Sequence, residues 1–75
     1  RKINEYIMTS LRTMEGASLQ QIKNLGCEKT AADILHDAEK FIQRAWMKNE
    51  NEFLILTTKG KLFADGIASD LFRVN

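Results

Sequence analysis

Apolar residues recur along this chain in helical stripes, interrupted once by a change of period. Ile3, Ile7, Leu11 and Met14 fall at i, i+4, i+8 and i+11 and predict a helix over residues 2–14, with Tyr6 and Met8 broadening the face. Gly16 stands just past that stripe and suits a left-handed helix stop, which a residue without Cβ adopts freely. Ser18 then reads as an N-cap with Gln21 as its capping-box partner. Leu19, Ile22 and Leu25 share one face of a short helix, which Gly26 closes by the same reasoning as Gly16. Thr30 is the next expected cap, with Asp33 placed to meet the positive end of the helix dipole. Ala31, Ile34, Leu35, Ala38, Phe41, Ile42 and Ala45 form the clearest stripe and predict a helix of about four turns.

The period changes after Trp46, Met47 and Lys48. A polar tip at residues 49–52 separates them from Phe53, Leu54, Ile55 and Leu56, which predicts a β-hairpin whose second strand is covered on both faces. Thr57 or Thr58 caps a last helix through residue 72, with Phe63, Ile67, Leu71 and Val74 as its buried stripe. Gly66 inside that helix costs about 1 kcal/mol against alanine, which close packing on another helix would explain. The resulting fold class is mainly α with a small β-hairpin. Its order of helix, helix, helix, hairpin, helix is winged-helix-like, with the closing helix as an addition.

Composition narrows the options. Seventy-five residues give one domain, residues 1–75, with one modest core. Cys27 is the only cysteine and His36 the only histidine, so an internal disulfide is impossible and a four-ligand structural zinc site is not expected. A lone cysteine and no signal peptide fit a reducing, cytoplasmic setting. The chain opens on Arg1 rather than Met, which reads as a module cut from a larger protein. No apolar run approaches the roughly 20 residues that span a bilayer.

Winged helices often bind DNA through the helix before the wing. That stretch, residues 30–47, carries Asp33, Asp37 and Glu39 against Lys40 and Arg44, and the hairpin tip carries Glu50 and Glu52. Both expected contact elements have the wrong sign for phosphates, and Lys and Arg outnumber Asp and Glu only 11 to 10, so nucleic acid is not the expected partner.

Catalytic readings are equally thin. His36 has no nucleophile or third group at recognisable spacing and reads as a surface or boundary histidine at the edge of the apolar stripe. Cys27 reads as a turn residue, and Asp33 with Asp37 as exposed helix acids. The stretch at residues 57–60 lacks the spacing of a phosphate loop. Phe41, Trp46, Phe53 and Phe63 are expected in the core, a porphyrin-facing surface being the alternative.

Two blocks are more specific: NEYIMTSLRTMEG from Asn4 to Gly16 and LTTKGKLFAD from Leu56 to Asp65. Together they resemble the C-terminal domain of the oxygen-independent coproporphyrinogen III oxidase-like proteins, radical-SAM proteins of heme metabolism. The first block looks closer to the heme-chaperone branch than to the classical oxidase. The resemblance implies a C-terminal accessory domain packed on an upstream radical-SAM barrel of the same chain. It further implies that this barrel binds a [4Fe–4S] cluster and S-adenosylmethionine, with heme a further candidate for the parent. A cluster held by three cysteines cannot be built from Cys27 alone, so no catalytic, cofactor or metal residue is carried over. Arg12 and Glu15, within the first block, and Lys59, within the second, are the candidates for contact with the barrel or with tetrapyrrole propionates. The competing expectation for Arg12 is an ion pair within the domain.

Overall fold

The first nine residues of the computed structural model, which describes residues 2–73, wind into α1 (Lys2–Ser10) and turn Ile3, Ile7 and Ser10 inward. The helix stops earlier than residue 14. The Thr13 hydroxyl donates to the Ser10 carbonyl at 2.7 Å and accepts from the Gly16 N–H at 3.1 Å. Such side-chain bonds compete with the helical ladder. Leu11 stays buried, but Met14 swings out to 85% exposure and leaves the expected stripe. Gly16 has the anticipated positive φ of 84°. A Cβ there would lie 2.3 Å from the Leu54 carbonyl oxygen, so its bare backbone also permits a close approach.

β1 (Ala17–Ser18) and α2 (Leu19–Leu25) follow, and the Ser18 hydroxyl caps α2 by accepting from the Gln21 N–H at 3.2 Å. Gly26 ends α2 with φ −123°, not in the expected left-handed conformation. The long helix α3 (Glu28–Gln43) begins ahead of Thr30, because Cys27 takes the extended N-cap position. Thr30 lies in its first turn, and its hydroxyl sits 3.3 Å from the Cys27 sulfur. At the other end Ala45 adopts φ 64° and is no longer part of the helical stripe. Its N–H donates to the Ile42 carbonyl, and the Trp46 N–H donates to that of Phe41. This is the Schellman arrangement, and the stacking of Phe41 on Trp46 supplies its accompanying apolar contact.

β2 (Met47–Glu50) and β3 (Phe53–Leu56) form the hairpin. Glu50 pairs with Phe53, so the tip is only Asn51 and Glu52, at φ 52° and 65°, tighter than the four-residue tip expected. Two positive-φ residues match the twist of a two-residue hairpin. β1 adds a third antiparallel strand, giving the order β1-β3-β2. The closing helix is broken in two: α4 (Thr58–Lys61) and α5 (Ala64–Leu71), with Leu62 and Phe63 between them. The Thr57 hydroxyl accepts from the Gly60 N–H and donates to the Ala45 carbonyl, tying α4 to the end of α3. Leu62 is 79% and Phe63 46% exposed, so Phe63 does not belong to the buried stripe that Ile67 and Leu71 form. Val74 lies outside the described residues. Gly66 faces open space, and the helix contact expected there is absent.

Ile7, Leu11, Ile22, Ile34, Met47, Leu54, Ile67 and Leu71 are the fully buried centre of one core. The order α1-β1-α2-α3-β2-β3 is that of a winged helix, and α4 and α5 are added after the wing. Asn4 clasps the far end of the chain: its side-chain amide donates to the Arg73 carbonyl at 2.9 Å and accepts from the Arg73 N–H at 2.8 Å.

Candidate interaction face

Trp46 organises one surface of the molecule. Phe63 stacks on it with ring centroids 4.6 Å apart, and Phe41 lies at 6.1 Å. The Arg44 guanidinium stands 5.3 Å from the Trp46 ring centre, within cation–π range. Gly60 presses on the Trp46 carbonyl: a Cβ at position 60 would lie 1.8 Å from that oxygen. Lys59 and Lys61, on either side of Gly60, are both exposed. Only Phe41 of the four aromatics is core. Trp46 and Phe53 are half-buried, and Phe63 is exposed. Beside Phe63 runs an open groove of about 410 Å³, lined by Arg12, Asp65 and residues 61–64 and 66.

The structure separates the residues that the sequence singled out. Arg12 enters the groove, but its guanidinium pairs with Asp65 and lies 3.6 Å from the Met8 sulfur. Glu15 is exposed in the turn after α1, and Lys59 is exposed on α4. Neither lines the groove, so the three do not converge on one ligand position. Sequence reasoning missed Lys61, Leu62 and Asp65. The available signal was the Leu62-Phe63 pair, of which only Phe63 fits the stripe of a single helix.

The surfaces expected of a DNA reader are acidic or neutralised. α3 carries Glu28, Asp33, Asp37 and Glu39 against Lys29 and Lys40. Lys29 pairs with Asp33 at 3.1 Å and Lys40 with Asp70 at 2.6 Å, and in the wing Lys48 lies 3.6 Å from Glu50. Asp37 turns to Arg73 at 2.6 Å, and the guanidinium holds its carboxyl below the ordinary value. Asp33 and Asp37 therefore serve different partners and are not a carboxylate pair. His36 is exposed. Cys27 is exposed too, and the Thr30 hydroxyl lowers its thiol pKa. Among the described residues no cluster of three or more His, Cys, Asp or Glu could hold a metal ion, and no helix is long and apolar enough to cross a membrane. The chain has no significant match to a protein-family model, a curated protein or a solved structure.

Proposed function

We propose that this chain is a non-catalytic winged-helix accessory domain that works by docking on protein through its Leu62–Phe63 face. The observation that carries the reading is the break between α4 and α5, which leaves Leu62 79% and Phe63 46% exposed beside a groove. Covering a large apolar side chain contributes about 1.5–3 kcal/mol, so this face gains from a partner. The resemblance of the two sequence blocks supplies the partner: the barrel of a radical-SAM protein like the oxygen-independent coproporphyrinogen III oxidases, in the oxidase or heme-chaperone branch. The cluster and S-adenosylmethionine would belong to that barrel. Tetrapyrrole contact would fall to Lys59 and to Arg12, although Asp65 already neutralises Arg12.

The test is the Leu62→Asp, Phe63→Asp double variant within the parent protein. The domain is expected to stay folded but to part from the barrel, so that limited proteolysis releases it faster. An unchanged release rate would reject the docking role. The isolated chain is expected to be folded, monomeric and colourless. Iron or S-adenosylmethionine binding by it would count against the reading, and a saturable Soret shift with heme would favour direct tetrapyrrole contact. The competing reading, a nucleic-acid reader in the cytoplasm, draws on element order alone. It requires a salt-dependent mobility shift with duplex DNA, and none is expected even at low salt.

A further inference from the structure

We infer that the segment received by the Leu62–Phe63 face is acidic, with carboxylates arranged around an apolar anchor; this rests on the docking reading above. Half of the ten Lys and Arg side chains of the described residues are already matched. Arg12, Lys29, Lys40, Lys48 and Arg73 each pair with an aspartate or glutamate. Arg44, Lys59 and Lys61 have no acidic partner among the described residues; Arg44 and Lys61 border Trp46 or Phe63, and Lys59 precedes Gly60 on the same short helix. Arg44 lies on the Trp46 ring, Lys59 and Lys61 flank the glycine seated on the Trp46 carbonyl, and Lys61 shares the groove with Phe63. Lys2 and Lys23, also unmatched, stand on other helices. Uncompensated positive charge thus gathers beside Leu62 and Phe63, whereas the unmatched Glu5, Glu15, Glu28, Glu39 and Glu52 lie on α1, the turn after it, α3 and the wing tip. A complementary surface places carboxylates opposite these three cations, which steers encounter and fixes register.

The same geometry argues for protein over the other anionic macromolecules. A nucleic-acid strand needs successive open aromatic platforms, and here Trp46 already has Phe63 stacked on it. A lipid surface is met by a long amphipathic helix with a basic polar face, and α4 has four residues.

The test is a titration of the isotopically labelled chain, followed by backbone amide shifts. One probe is a short synthetic peptide carrying two leucines among glutamates; a second replaces every glutamate by glutamine. The acidic peptide is expected to shift Arg44, Trp46 and residues 59–63 saturably. The Lys59→Glu, Lys61→Glu double variant is expected to weaken that binding about tenfold, and added salt to weaken it further. Equal affinity for the glutamine peptide would overturn the acidic requirement and leave apolar docking standing. An unchanged affinity in the Leu62→Asp, Phe63→Asp variant would overturn the docking face itself. No shift with either peptide, shifts centred elsewhere, or tighter binding to phosphatidylserine vesicles or a single-stranded oligonucleotide would also overturn the inference.

Discussion

Gly60 and Gly66 occupy neighbouring turns of the chain and have opposite reasons to be glycine. At Gly60 a methyl group would collide with the Trp46 carbonyl, a backbone atom that cannot move without displacing the wing. Gly60→Ala is therefore expected to cost on the order of 3 kcal/mol. At Gly66 nothing lies within 4 Å of the added carbon, and the residue sits inside α5. Gly66→Ala is expected to gain about 1 kcal/mol from helix propensity alone. Urea denaturation of the two variants reads both signs, and a stabilised Gly60→Ala would refute the close approach. Ser10 invites a similar test. Its hydroxyl is buried without a hydrogen-bond partner among the described residues. Ser10→Ala removes the unpaired group and should raise stability by about 1 kcal/mol, seen as a higher urea midpoint.

The junction between α3, β2 and α4 is the element-scale feature that decides the surface. Ala45 occupies a left-handed position that costs a residue with a Cβ about 1–2 kcal/mol, and its side chain is exposed. Ala45→Gly should recover about 1 kcal/mol of that. Thr57→Val should lose about 1–2 kcal/mol, because the hydroxyl both caps α4 and holds the Ala45 carbonyl at 2.7 Å. Thermal unfolding of the two single variants and the double variant checks both signs, and whether the sites are coupled through their shared contact. These elements also show where sequence reading succeeds. The Ser18 cap, the α3 stripe and the hairpin were legible because each rests on short-range spacing. β1 was not, since two residues cannot display alternation and its strand character comes from pairing with Leu54 and Phe53. The break between α4 and α5 was hidden for a related reason. It lies beside the contacts of Gly60 and Phe63 with Trp46, which join residues 14 and 17 positions apart and so leave no mark on local spacing.

Across the whole molecule, Arg73 joins the end of the chain to both α1 and α3, through Asn4 and Asp37. The Asp37 carboxyl is held below its unfolded value, so its contribution to stability is present above the unfolded pKa and is lost as pH falls through the lowered folded one. Asp37→Asn should lower the melting temperature at neutral pH and flatten its fall between neutral and acid. A parallel fall in wild type and variant would show that the pair carries no such linkage. The candidate site was less legible than the fold. Arg12 could be picked out as a recognition residue, but its closure onto Asp65, 53 positions away, depends on α1 and α5 lying side by side. The unmatched charge around Trp46 emerges only once the other cations have found their acids.

The Asn4–Arg73 clasp has a mechanical consequence. Arg12 meets Asp65 at one end of the α1–α5 pair and Asn4 meets Arg73 at the other, so the two helices run antiparallel. Tension applied between positions 4 and 73 reaches the clasp first and peels the helices apart one contact at a time, instead of sliding them past each other under a shared load. In an optical trap the domain should therefore open at low force when pulled from its ends, and resist more when the handles are moved to positions 12 and 73.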